Sequence, residues 1–188
     1  MADEILLGAG EVYMYEFSGA EIPENTAIEK EDYHVANCSG GFSVDYKPTK
    51  YDVKNQYGTI VKSFITNEEI TAKTGLLSWM LKNLALLSTA KFTEDKVKKT
   101  RTLTFGGKGS LKTVLLRFVH TKENGKKIRF TMIGQGGNGF AIEFTDKELT
   151  VDAEITAIEY IKNFLAKFEE ELTDEEAEAL PSEATPAS

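Results

Sequence analysis

Residues 131 to 144, TMIGQGGNGFAIEF, place Gly134, Gly136 and Gly139 at the spacing G-x-G-x-x-G, directly after an apolar, strand-like run. The chemistry that spacing offers is a phosphate cradle, in which the free N–H groups of a helix N-terminus hold a pyrophosphate. Such a cradle needs a helix to begin where the glycines end. Here Phe140, Ala141, Ile142, Glu143 and Phe144 follow, an apolar and β-prone run, and then the turn-like TDKE. The glycines are therefore expected to connect two strands, where they tolerate positive φ and close backbone approach. No nucleotide and no other cofactor is expected.

The other reactive side chains are few. His34 and His120 are the only histidines, and neither lies in an H-E-x-x-H, H-x-x-E-H or C-x-x-C setting, so no metal site is expected. Cys38 is the only cysteine, which excludes an intramolecular disulfide and suits a small buried hydrophobe. His34 and Cys38 could act as base and nucleophile only across a turn, because four residues of strand span roughly 13 Å. The run GGKGS, 106 to 110, lacks the P-loop spacing. Glu68 and Glu69 are adjacent, so on a strand they face opposite sides, and they are expected in a turn. No catalytic group is expected, and the chain reads as a non-enzyme.

The elements that would carry a function are mostly strands. From Phe42 the sequence runs FSVDYKPTKYDVKNQY, Gly58, TIVKSFITNEEITAKT, rich in β-branched and aromatic residues. This predicts two long strands forming an arm, placed at about 44–60. Pro48 cannot donate to a ladder, so the strand is expected to be bulged, interrupted or at an edge there. Ile60, Lys62, Phe64 and Thr66 alternate with Val61, Ser63 and Ile65, a mixed pattern that suits a sheet with contacts on both sides. A helix is expected at about 76–88, where Leu77, Met80, Leu81, Leu84 and Leu87 recur at helical spacing, with Trp79 packed in the core. TEDKVKKTR reads as a basic loop. Strands follow in RTLTF, KTVLLRFVHTK and KIRFTMI, the last two joined through Asn124-Gly125, a strong hairpin signal. ELTVDAEITAIEYIKN alternates as a strand, whereas FLAKFEEEL fits a strand or a short helix. The expected architecture is mostly β (α+β): a β-sandwich or barrel over residues 1–172, with one flanking helix and a long hairpin arm. Residues 173–188 form an acidic tail with almost nothing to bury, expected to be disordered.

The 188 residues carry a formal net charge of −8, distributed unevenly. Residues 1 to 32 hold nine acids against Lys30, and residues 169 to 188 hold eight acids and no base. The body between them, 33 to 168, holds 21 Lys and Arg against 13 acids. That basic middle supports one alternative function, a nucleic-acid-binding β-module with Lys96, Lys98, Lys99 and Arg101 as its best patch, although aromatic residues for base stacking do not interleave there. No secretion signal is visible, and the longest apolar cluster, GLLSWMLKNLALL, is too short and too interrupted to cross a bilayer. No membrane association is expected.

The opening LLGAGEVYMYEF…GAEIP, the arm CSGGFSVDYKPTKYDVKNQYGTIVKSF and the run LLSWMLKNLALL ahead of a strand-rich second half resemble the major tail tube proteins of long-tailed, siphovirus-like bacteriophages and related prophage tails. The resemblance covers about residues 5 to 172 and is one of element order, without an invariant motif. It implies a structural virion protein, assembled in the bacterial host's cytoplasm, whose homo-hexameric rings stack into a tube. It further implies a tape-measure protein, a tail terminator and tail assembly chaperones as partners, and DNA only as passing cargo. On this reading the subunit interface includes the arm residues Tyr46, Lys47, Pro48, Lys50, Tyr51, Asp52, Val53, Lys54 and Tyr57.

Overall fold

The structure, a computed structural model, describes residues 9–38, 41–76, 80–107, 109–137, 139–142 and 151–179. The chain is mostly strand. β1 (Gly10–Glu16) leads to a four-residue helix α1 (Asn25–Ile28), a 3₁₀ turn (Glu31–Tyr33) and β2 (His34–Cys38). The two longest strands follow, β3 (Phe42–Lys54) and β4 (Ile60–Leu76), then a short helix α2 (Leu81–Leu86) and the strands β5 (Lys91–Asp95) and β6 (Thr100–Thr104). The second half supplies β7 (Val114–Thr121), β8 (Lys127–Gln135), β9 (Phe140–Ile142), β10 (Val151–Ala157), β11 (Ala166–Glu170) and a last helix α3 (Asp174–Glu178). Nine strands form one antiparallel sheet in the order β2-β1-β7-β8-β10-β4-β3, with β11 joined to β8 and β9 to β10; β5 and β6 form a separate hairpin.

Both faces of the central strands are covered, which is why VLLRFV reads as an unbroken apolar run with one arginine. Val114, Leu116 and Phe118 of β7 share a face with Phe130 and Met132 of β8 and meet α2, Ala153, Ile155 and Ala72 in the larger core. Leu115, Val119 and Ile133 point the other way, into a smaller core with Tyr13, Phe17 and Ile28. Phe42, on the last strand of the sheet order, stacks on Phe118 at 4.3 Å between centroids, with the rings nearly parallel. Those strands stand four places apart along the sheet, so the sheet curls over and encloses the larger core. The β7–β8 turn is the one expected from Asn124-Gly125: Gly125 takes φ +80° and the Lys122 N–H donates to the Lys126 carbonyl at 2.8 Å.

The glycine segment is a strand connection. Gly134 lies within β8, and a Cβ there would sit 2.5 Å from the Thr156 carbonyl oxygen; one on Gly136 would sit 2.8 Å from that of Leu87. Gly139 has φ +81° and leads into β9, so a strand, not a helix, follows the glycines.

Several expectations are corrected. The helix expected at 76–88 is confined to Leu81–Leu86, because Leu76 is still strand, paired with Val151. Pairing with β10 here overrides local helical periodicity. Met80, assigned to that helix's apolar stripe, is exposed, and Trp79 lies outside the described residues. The basic loop is a hairpin, with Glu94 opposite Arg101 and Asp95 opposite Thr100. Glu68 and Glu69 are mid-strand in β4, opposite Pro48 and Lys47. Of the two readings left open for FLAKFEEEL the strand is the one found, as β11 over Ala166–Glu170. The tail begins with order where disorder was expected: Thr173 caps α3, its hydroxyl accepting from the Glu176 N–H while the Glu176 carboxylate accepts from the Thr173 N–H. Residues 180–188 lie outside the described residues.

Candidate subunit interface

β3 and β4 pair along their whole length, but only the base of this hairpin belongs to the body. β10 pairs with β4 from Thr71 to Leu76, whereas Tyr46–Lys54 and Ile60–Ile70 have only each other. Nine strand residues at ~3.3 Å each carry the tip roughly 30 Å beyond the body. The arm is thus longer than the 44–60 expected, because its return strand runs on to Ile70 before meeting β10.

The expected interface residues all lie on this ribbon. Pro48 is accommodated because β3 is the terminal strand of the sheet, and bulges fall between Thr49 and Lys50 and between Val53 and Lys54. Strand alternation gives the ribbon two faces. Tyr46, Pro48, Lys50 and Asp52 share one; there the Tyr46 hydroxyl donates to Glu68 at 2.7 Å and Ser63 donates to Asp52 at 2.6 Å. Lys47, Tyr51 and Val53 share the other, where Tyr51 stands opposite Phe64 and the Lys62 ammonium lies 4.7 Å from the Phe64 ring centre. Lys54 pairs with Ile60. At the tip, the Tyr57 and Thr59 N–H groups donate to the Asn55 side chain, each at 3.0 Å, and Gly58 takes φ +80°.

Exposure makes this ribbon a candidate interface. Tyr51 is 62% exposed, Tyr57 82%, Val61 60%, Ile65 57%, Ile60 52% and Phe64 46%. A projecting pair of strands carrying this much apolar surface on both faces has no core of its own and fits a partner surface. Ile60, Val61, Phe64 and Ile65 were absent from the sequence-based interface, although their alternation with polar residues was the signal that could have found them.

Behind the arm, an ion network fixes the body. Arg117, fully buried in β7, donates to Asn25 Oδ1 at 2.8 Å and to Glu29 Oε1 at 3.2 Å. Glu29 also accepts from Lys127 at 2.9 Å and Arg129 at 2.5 Å, and Arg129 reaches Glu171 at 2.7 Å and Glu169 at 3.5 Å. Burial pushes the Glu29 carboxyl up, but the hydrogen bonds from Arg129 and Lys127 outweigh it and hold it below the usual carboxylate range. Lys167 and Asn25, donating to Glu169, hold that carboxyl low as well. The network ties α1, on the sheet face that lacks α2, to strands β7, β8 and β11.

The residues considered for catalysis are not assembled into a reactive group. His34 and Cys38 stand at opposite ends of β2, and the Cys38 side chain lies outside the described residues. His120 Nδ1 lies 2.7 Å from the Ala9 carbonyl oxygen. No cluster of His, Cys, Asp and Glu able to hold a metal occurs among the described residues, and no helix among them is long and apolar enough to cross a membrane. The basic patch of the alternative reading lies at the β5–β6 turn, where Arg101 pairs with Glu94 at 2.9 Å and Lys98 faces Asp95 at 4.0 Å. No protein-family model matches the chain, and no curated protein sequence matches it.

Proposed function

We propose that this chain is a structural subunit that assembles with copies of itself, as stacked six-membered rings, into the tail tube of a long-tailed bacteriophage. The fold on this reading is a tail-tube-like β-sandwich or barrel, with α2 as the flanking helix. The observation that carries the proposal is the arm: a hairpin projecting roughly 30 Å, with exposed aromatic and aliphatic residues on both faces, rooted in a curled antiparallel sheet. Strand edges left open at β2 and β3 support it too, since backbone pairing across subunits satisfies them and a constant rotation closes a ring. Stacking requires a second, heterologous contact, which the arm supplies. Tape-measure, terminator and chaperone proteins belong to the same proposal as partners, with the host cytoplasm as the place of assembly. DNA passes as cargo. The nucleic-acid-binding alternative is weaker, because carboxylates stand beside Arg101 and Lys98 in its patch.

The test is electron microscopy and light scattering of the purified chain at rising concentration, beside a variant with residues 48 to 56 replaced by a short Gly-Ser linker. The parent forms rings or tubes, and the variant keeps its circular dichroism spectrum but does not polymerise. A variant that polymerises as readily as the parent, or a parent that stays monomeric at millimolar concentration and beside its proposed partners, overturns the assignment.

A further inference from the structure

A groove of about 790 Å³ runs between the end of β1, the 3₁₀ turn at Glu31–Tyr33, α2 and the start of β5. Its aromatic wall is Tyr15 stacked on Tyr33, with centroids 4.3 Å apart. At its floor Asn83 is 7% exposed, and its side-chain Nδ2 is buried with no hydrogen-bond partner; His34 Nε2 is unpartnered in the same way. A buried amide donor without an acceptor carries an uncompensated loss of hydration, so such an atom at the floor of a groove marks a place where an incoming acceptor is gained. The two rims differ in charge: Glu31 and Asp32 stand on one, Lys82 and Lys91 on the other, while Glu16 is already paired with Lys112 at 3.3 Å.

We infer that this groove receives the arm tip of a second copy of the chain. This rests on the self-assembly reading and adds the receiving surface to it. On the arm, Lys50, Asp52 and Lys54 follow one another at alternate positions, so basic, acidic and basic groups point from one face. The two lysines match the acidic rim and Asp52 matches the lysine rim. Ribbon carbonyls supply an acceptor for Asn83 Nδ2, and a backbone C=O or N–H of the ribbon partners His34 Nε2 in either tautomer, as peptides do when they lie against a sheet edge. The arm does not occupy the groove of its own chain, since Tyr57 at its tip is 82% exposed.

The test is a charge exchange in the full chain. Glu31→Lys with Asp32→Lys, and separately Lys50→Glu with Lys54→Glu, each raise the critical concentration for polymerisation roughly tenfold or more, because like charges then face one another. Combining all four substitutions restores assembly. As a second measurement in a Cys38→Ser background, chains carrying Lys54→Cys mixed with chains carrying Asp32→Cys form a mixed disulfide dimer on mild oxidation of assembled material. A parent that polymerises alongside a groove variant that polymerises equally well sinks this inference and leaves the tube reading standing. Failure of the fourfold variant to recover, or no mixed disulfide, sinks it as well. A parent that never polymerises removes both.

Discussion

Replacing Glu29 with glutamine tests the physical account of the body most directly, because the cost can be assigned to one neighbour. The carboxylate has three cationic partners, which lose unequally when it becomes neutral. Lys127 is about a third exposed and rehydrates. Arg129 keeps Glu171 at 2.7 Å and Glu169 at 3.5 Å. Arg117 is fully buried, its Nε and Nη2 already lack partners, and it is left with Asn25 and the field of Glu169. The substitution therefore strands one buried cation, an effect of ~3–5 kcal/mol, and the retained amide oxygen places Glu29→Gln near the lower end, at about 3 kcal/mol. For a chain of this length each kcal/mol moves Tm by ~2–4 °C, so the expected fall is roughly 6–12 °C. Urea unfolding followed by far-ultraviolet circular dichroism at pH 7 measures it. Adding Arg117→Met to Glu29→Gln removes the stranded charge, so the double variant is less destabilised than the sum of the singles, by ~0.5–3 kcal/mol. A single-variant loss below ~1 kcal/mol, or strict additivity, refutes the assignment of the cost to Arg117.

The same carboxylates set an acid limit: Glu29 and Glu169 are held below their ordinary values, so between those values and the unfolded ~4.3 the unfolded chain binds more protons, and stability is present above this window and lost as pH falls through it. Urea midpoints measured from pH 7 to pH 3 should fall in that direction, and Glu29→Gln should flatten the curve. Gly134→Ala places a methyl 2.5 Å from the Thr156 carbonyl oxygen and 2.9 Å from Ile155, and should cost ~1–3 kcal/mol by overpacking, whereas titration of the parent with ATP or NAD should give no heat. Ending the chain after Leu172 removes the half-buried Thr173 and the exposed side chains of residues 174–179 and should leave Tm nearly unchanged, while ending it after Leu165 deletes β11 with Glu169 and Glu171 and should unfold the body. Amide exchange at residues 46–70 should be fast in dilute monomer and slow in assembled material; protection in both would show that the arm needs no partner.

Local features of the fold were readable where a short stretch contains its own cause. Asn124-Gly125 dictates its turn, Pro48 and its flanking residues announce an edge strand, and alternation from Ile60 to Thr66 marks a ribbon with two faces. Where the cause lies far along the chain, the sequence misled. Residues 76–80 look helical by spacing, yet β10, some 75 residues later, holds Leu76 in a strand. Thr93–Asp95 and Thr100–Arg101 looked like loop because these strands flanking the 96–99 turn are largely exposed. Glu29 bonds residues 88 to 100 positions away, and α1, only four residues long, has no periodicity to read. One signal was available. An arginine inside VLLRFV and another in KIRFTMI cannot be buried unpaired, so each demanded a carboxylate that the linear pattern could not name.

β4 is one continuous strand from the arm into the body, and its root at Ile70 and Thr71 contains no bulge; its extra residues, Thr66 and Val61, stand farther out along the arm, opposite the Thr49/Lys50 and Val53/Lys54 steps of β3. A pull on the tip therefore reaches the body along the strand axis and loads the six register pairs between β4 and β10 in shear, all at once, instead of unzipping them singly. The bulges opposite Thr49/Lys50 and Val53/Lys54 are where such a ribbon bends and twists most readily. The hairpin is in mechanical terms a stiff tie with a flexible outer segment: its tip can change its angle while tension still passes into the body.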